Sequence, residues 1–262
     1  MTQRRSEVQV LQRPPEDQAA GTVWVLLPAY NEAQNLPALL ADLDALATVR
    51  PLRVLVIDDG SRDGTGEVAG SWGGPSRPVV VAHGENRGLG AALCTGVGAI
   101  LDRCGMNDVI VTMDADGSHR PHQIPEMVEE IEKGADVVIA SRYRRASRVA
   151  GVPPVRRLES LCARILLSAL FPVEGVRDYT CGYRAYRADI LRRAQGRYGP
   201  RWISSRGFAA TAELLLTLRP LRPTVREIPI DLRYDLKRGA SKMVPSRTVR
   251  EYLAMIVRLL TS

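Results

Sequence analysis

Residues 112–121 read TMDADGSHRP and directly follow the apolar run Val109-Ile110-Val111. On a strand, side chains at i and i+2 face the same way, so Asp114 and Asp116 stand side by side. Two carboxylates that close raise each other's pKa unless positive charge compensates. Either solvent screens the pair, as in an ordinary Asp-Gly turn, or the pair holds a cation.

The elements that position these carboxylates follow an alternating pattern. Short apolar runs over 23–28, 53–57, 79–82, 109–113 and 137–140 read as strands, and helical patterns cover 35–47, 88–101 and 121–133. Continuous apolar strands separated by helices of this length predict βαβ units, an α/β fold whose mainly parallel sheet is covered on both faces. Ligands of such sheets bind outside the carboxyl ends of the strands. Tyr30-Asn31-Glu32, Asp58-Asp59, Asp114-Asp116 and Arg142 all fall there, so four strand ends converge on one expected site.

After residue 143 the pattern changes. Residues 153–171 (PPVRRLESLCARILLSALF) predict an amphipathic helix with Arg156 and Arg157 in its first turns and Leu158, Leu161, Ile165 and Ala169 on its apolar face. Residues 207–218 predict a further helix, 226–234 alternate as an antiparallel strand would, and 246–260 (SRTVREYLAMIVRLL) predict a second amphipathic helix. The expected organisation is a lead-in over 1–21, one domain over 22–245 with halves meeting near 143, and a C-terminal helix over 246–262.

The net charge of +7 is unevenly spread. Residues 1–140 carry −9, residues 141–206 carry +11 with arginine as their only base, and residues 207–262 carry +5. An acidic half able to hold a metal precedes an arginine-rich half able to hold phosphate in planar, forked contacts. The acidic half, with aromatics at only 5%, offers no stacking platform for nucleic acid. Cys94, Cys104, Cys162 and Cys181 show no paired spacing and read as reduced thiols of a cytoplasmic protein. No secretory signal and no spanning helix are expected, since the first twenty residues lack an apolar region and no apolar stretch reaches 18 residues.

Seven motifs in order, LPAYNEAQNL (27–36), VIDDGSRDGT (56–65), ENRGLGAAL (85–93), DADGSHRP (114–121), ASRY (140–143), DYTCGYRAY (178–186) and GASKM (239–243), resemble the family-two glycosyltransferases of the GT-A fold. Within them they resemble the dolichol- and polyprenol-phosphate mannosyltransferase group. The resemblance implies a GT-A-type, Rossmann-like three-layer sandwich and inverting transfer of a hexose, mannose from GDP-mannose, onto a polyprenyl phosphate. It implies Mg²⁺ or Mn²⁺ on Asp114 and Asp116, with Asp116 the direct ligand and Ser118 nearby. It also implies nucleotide-sugar contacts from Pro28, Tyr30, Glu32, Ile57, Asp59 and Ala115, with Lys242 on a phosphate. On the acceptor side Arg142 would bridge the two phosphates, Arg156 or Arg157 would hold the acceptor phosphate, and Asp178 would orient these arginines or the sugar hydroxyls. Ser61 and Asp63 read as caps of the following helix, and His119 as a helix-start or solvent-exposed histidine.

One departure stands out. The family's late motif R-x-x-G-x-S-K reads LKRGASK over 236–242, with Leu236 in place of the arginine and Arg233 or Arg238 as candidates to replace it. Without a spanning helix, a lipid acceptor would be reached by the two amphipathic helices lying in the membrane interface, with the protein peripheral to the inner membrane face. If both helices instead pack on the core, the acceptor is a soluble small molecule, peptide or glycan. A non-catalytic nucleotide- or lipid-binding subunit is a third reading, opposed by the intact Asp114-Asp116 pair.

Overall fold

The computed structural model describes residues 21–239 and 245–261. The expected lead-in, apart from Gly21, and the predicted phosphate contact Lys242 lie outside the described residues. The chain alternates β1 (Val23–Ala29), α1 (Leu36–Ala47), β2 (Leu52–Asp58), α2 (Thr65–Gly70), β3 (Val79–Ala82), α3 (Leu89–Leu101) and β4 (Val109–Thr112). A 3-10 turn (Pro121–Gln123) then leads into α4 (Ile124–Glu132), β5 (Val137–Ser141), β6 (Arg148–Ala150) and α5 (Pro154–Leu170). The remainder comprises β7 (Arg184–Arg187), α6 (Ala188–Tyr198), α7 (Ala209–Leu218), β8 (Val225–Pro229), β9 (Asp231–Arg233) and α8 (Pro245–Thr261).

Seven strands form one sheet in the order β3-β2-β1-β4-β7-β5-β8, parallel except for β7. On one face α1 packs on α2 and on the 3-10 turn, which α4 also meets, and α3, α6 and α7 pack together on the other. Strand β1 is buried from Val23 to Leu27 because both faces are covered, which is why its sequence is apolar without alternation. From β1 the chain moves outward to β2 and β3, then returns to place β4 on the other side of β1. That reversal opens a crevice at the carboxyl ends of β1 and β4, where α/β sheets take their ligands.

One expectation is corrected. The alternating stretch 226–234 is not an antiparallel strand: β8 pairs parallel with β5, and β9 pairs parallel with β6 in a separate two-stranded sheet. Alternation reports which faces are covered and says nothing of direction. The antiparallel strand is β7, which begins in the DYTCGYRAY motif, ends one residue beyond it, and wedges between β4 and β5. Together with α6, it was not anticipated from the sequence.

Asp108, 6% exposed, fastens the start of β1 beside β4. Its carboxylate accepts from the Thr22 and Gly105 amides at 2.9 and 3.0 Å and from the Trp24 indole at 2.8 Å. Asp108→Ala leaves these buried donors unsatisfied, and the expected loss is about 3 kcal/mol of unfolding free energy in chemical denaturation.

Candidate active site

On the acidic side, the loops after β1 and β2 are tied into one wall. Asn31 adopts φ 52°, a left-handed conformation that asparagine tolerates, and its amide donates to Ser61 Oγ at 2.9 Å while its Oδ1 accepts from the Arg62 amide. Asp63 accepts from the Thr65 amide at the start of α2 and also from the Ala33 amide. Ser61 and Asp63 therefore join two loops; Asp63 also meets the first turn of α2, whereas Ser61 does not cap that helix, whose N-cap is Gly64. Glu32 accepts from the Asn35 side chain at 2.6 Å, and Asn35 in turn exchanges hydrogen bonds with the Arg238 backbone.

Pro28, Tyr30, Glu32, Asp59 and Ala115 line a cleft of about 450 Å³ together with Asp114 and Asp116. Asp59 is heavily engaged by the protein itself. One oxygen meets His83 Nδ1 at 2.6 Å and the Arg87 amide, and the other accepts from the Gly88 amide at 2.7 Å. It thus anchors the turn into α3, where Gly88 at φ 93° approaches the Arg206 carbonyl so closely that no side chain fits. Ile57 is fully buried in β2, so its side chain belongs to the core.

The dyad sits at the end of β4, with Gly117 at φ 77° turning the chain. Asp116 Oδ1 accepts from both the amide and the hydroxyl of Ser118, at 3.0 and 2.6 Å. Its Oδ2 accepts from Lys237 Nζ at 2.7 Å. Burial works against ionisation of Asp116, but the Lys237 charge and these hydrogen bonds outweigh it and hold the carboxyl below the usual range. Burial, reinforced by the like charge of Asp116, pushes Asp114 the other way despite the nearby His119. His119 corrects the expectation of an exposed histidine: it is buried, stacks on Tyr183 at 4.9 Å, and its Nδ1 accepts from the Asp114 amide at 3.0 Å. With Nδ1 accepting, the proton of the neutral ring lies on Nε2.

Lys237 is the site residue that motif matching passed over. Strand β9 runs beside the dyad turn, with the Arg233 amide donating to the Ser118 carbonyl at 2.9 Å, and the 3-10 turn Tyr234–Leu236 then brings Lys237 over Asp116. Of the bases near this turn, Lys237 lines the acidic cleft and Arg233 and Arg238 do not: the Arg233 guanidinium pairs with Asp235, and the Arg238 backbone meets Asn35. The signal was present in LKRGASK as a base one position late.

A second cleft, of about 410 Å³, opens on the arginine side. Asp178 is completely buried and clamps Arg142, accepting from Nε at 2.8 Å, from one terminal nitrogen at 2.6 Å and from the Arg142 amide at 3.0 Å. The other terminal nitrogen donates to Ser160 Oγ at 2.9 Å. Arg184 spends its guanidinium on the Thr211 and Tyr179 carbonyls, so the partner of Asp178 is Arg142. Arg156 lines the cleft and lies over the Tyr234 ring at 5.0 Å, whereas Arg157 is exposed and lines neither cleft. Asp114, Phe208 and Thr248 line both clefts, so the two spaces meet there.

Helices α5 and α8 flank this second cleft with their apolar stripes uncovered. Ile165 on α5 is 60% exposed and Val257 on α8 is 61% exposed, alongside Leu158, Leu161, Val249, Leu253 and Leu260. The opposite side of α8 is docked: Met255 is fully buried, and Arg258 donates to the buried Glu213 of α7 at 2.6 Å. Glu213 also accepts from the Ser204 and Ser205 amides. Among the described residues no helix is long and apolar enough to cross a membrane.

A model of glycosyl transferase family 2 matches residues 24–194. The chain belongs to that family. It is 37% identical over 227 residues to an undecaprenyl-phosphate mannosyltransferase of Micrococcus luteus, covering 84% of this chain and 87% of the relative. It is 35% identical to a polyprenol monophosphomannose synthase of Mycolicibacterium smegmatis, covering 87% and 82% respectively. A solved glucosyl-3-phosphoglycerate synthase of Mycobacterium tuberculosis, bound to Mn²⁺, UDP-glucose and phosphoglyceric acid, shares the fold with a TM-score of 0.66 at 22% identity, covering 93% of this chain and 80% of that one. The protein is thus a GT-A-type glycosyltransferase similar to polyprenol- and dolichol-phosphate mannosyltransferases.

Among the described residues of the glycosyltransferase, no group of three or more His, Cys, Asp or Glu side chains converges as a complete metal site. The donors present still fit an ion that completes its shell with substrate oxygens. Asp114, Asp116 and Ser118 offer hard oxygens, and an ammonium already rests against Asp116 as a cation would.

The Arg142–Asp178 clamp yields a stability prediction. The Asp178 pKa is lowered because, against the burial penalty, the Arg142 charge and hydrogen bonds favour the carboxylate. A depressed folded pKa contributes stability that is present above the unfolded value and lost as pH falls through the folded one. Asp178→Asn leaves Arg142 unpaired and is expected to cost about 3 kcal/mol or more at neutral pH. In urea titrations this deficit is expected to hold constant down to about pH 5 and to shrink below about pH 4.

Proposed function

We propose that this glycosyltransferase moves a mannosyl group from GDP-mannose onto a polyprenyl phosphate at a membrane surface. The observation that carries the reading is the meeting of two unlike clefts at Asp114, one lined by carboxylates and one by arginines and apolar side chains. The similarity to mannosyltransferases named for undecaprenyl phosphate and polyprenol supports both the sugar and the acceptor class.

The donor diphosphate lies over Asp116 and Lys237, with the nucleoside extending towards Tyr30 and Glu32. Asp114, Asp116 and Ser118 would hold a divalent cation, Mn²⁺ or Mg²⁺, which would supply Lewis-acid neutralisation of the charge that builds on the leaving diphosphate. The acceptor phosphate is already ionised, so its oxygen attacks the anomeric carbon without a strong general base. Positioning and charge control therefore do most of the catalysis. Arg156, stacked on Tyr234, holds that phosphate as a forked donor, while Arg142, whose own fork is spent on Asp178, adds its charge and the one N–H left on the nitrogen that meets Ser160. A single displacement at the junction inverts the anomeric configuration.

The prenyl chain follows the apolar second cleft between α5 and α8 towards their uncovered stripes. Apolar side chains exposed on two adjacent helices with arginines along their flanks suit the interface of an anionic bilayer. This is also the reading that explains why the predicted apolar face of α5 is turned away from the core, where only Leu167 of that helix is buried.

The direct test is transfer of radiolabelled mannose from GDP-mannose to a short polyprenyl phosphate with and without Mn²⁺. Mn²⁺-dependent lipid product is expected, while activity confined to UDP-sugars and soluble acceptors would overturn the acceptor reading. Asp116→Ala is expected to lower turnover by about a thousandfold while the folded protein persists. A paired Ile165→Glu and Val257→Glu variant is expected to lose sedimentation with phosphatidylglycerol vesicles yet keep transfer to a water-soluble short-chain acceptor. Undiminished vesicle binding would remove the membrane contact from the proposal.

A further inference from the structure

Asp116 has no idle oxygen. Oδ1 is held by the Ser118 amide and hydroxyl inside its own turn, and Oδ2 is held by Lys237. The Asp116 and Lys237 side chains are only 8% and 10% exposed, so this is a desolvated ion pair. A divalent cation that binds Asp116 through Oδ2 competes with the ammonium for that oxygen, and their like charges oppose sharing it. The Ser118 contacts are fixed by local backbone geometry, whereas Lys237 ends a flexible four-carbon stem that reaches Asp116 from a distant segment.

Charge gives the displacement its direction. With both carboxylates ionised, the one ammonium on Asp116 leaves the pair negative, which draws a divalent cation in. Once the cation is bound the same cluster is positive, and the ammonium is then better matched by an anionic diphosphate in the same cleft, which Lys237 also lines. Tyr234, whose ring centre lies 5.5 Å from Lys237 Nζ, gives the ammonium a second favourable surface during the exchange.

We propose that Lys237 is a resident counter-ion for Asp116 that trades places with the donor's divalent cation, neutralising the carboxylate in the empty protein and passing to the donor diphosphate on loading. The inference rests on the reading of Asp116 as a metal-binding carboxylate. It makes Lys237 a donor-positioning residue, with opposite effects on two ligands. A salt bridge that only fastened the 234–239 loop would have no such opposition, because its loss would weaken both.

The test compares the wild type with Lys237→Met and Lys237→Gln, using free Mn²⁺ followed by electron paramagnetic resonance and GDP binding followed calorimetrically at saturating Mn²⁺. Both variants are expected to bind Mn²⁺ alone about tenfold more tightly, and GDP with Mn²⁺ about tenfold more weakly. Lys237→Arg, which restores the charge, is expected to return both constants towards wild type. Mn²⁺ affinity that is unchanged or weaker in Lys237→Met and Lys237→Gln would overturn the exchange while leaving the metal reading intact. Absence of Mn²⁺ binding by wild type and both variants, with or without GDP, would overturn the metal reading and with it the exchange, leaving Lys237 as the sole cation of the site.

Discussion

Two carboxylates at the end of a buried strand need positive charge, and much of this molecule can be understood as the arrangement that supplies it. Asp114 and Asp116 lie where β4 meets the crevice, and the protein answers them with Lys237 carried in on the turn after β9. That answer has architectural demands. Strand β9 must run against residues 118 and 119, which requires the small β6–β9 sheet to cover the end of the main one. The second half of the chain is thereby folded back over the first, and the arginine cleft comes to share a wall with the acidic one.

The arginines follow the same electrostatic logic in reverse. Arg142 would be costly to bury alone, and Asp178 compensates it with a forked contact that also fixes the direction of the guanidinium. Because Asp178 has no exposure, it has no access to a ligand and acts through Arg142. Asp59 shows a similar division of labour on the other side, where a carboxylate expected to touch the nucleotide is engaged in pinning the start of α3. On both sides of the crevice, then, a buried carboxylate is engaged by the protein itself and fixes a neighbouring group.

The sequence was most informative where burial imposes a pattern. Strands β1, β2, β4 and β5 are covered on both faces, so each reads as an unbroken apolar run, and their polar ends mark the crevice directly. Strand β7 has no apolar run to mark it, since its residues are Arg184, Ala185, Tyr186 and Arg187: the buried Arg184 sets its two terminal nitrogens on carbonyls, a solution with no hydropathic signature. Direction in 226–234 was equally illegible, since pairing partners more than eighty residues away determine it. Lys237 sits one position from where the motif places its base, and only the path of the 3-10 turn shows that the late position reaches Asp116. His119 looked exposed beside Arg120 and Pro121, yet stacking on Tyr183 from the distant DYTCGYRAY motif buries it.

Helix α8 has one side in the protein and the other uncovered. Thr248 and Met255 face inward, with Thr248 on the wall where the two clefts meet, while Val249, Leu253, Val257 and Leu260 face outward. If the outer stripe rests on a bilayer, the thickness of this one helix becomes a ruler. It sets the height of the reaction centre above the lipid at about 10 Å, the diameter of a helix with its side chains. A prenyl phosphate would then need to rise from the headgroup layer by no more than that height to meet the sugar.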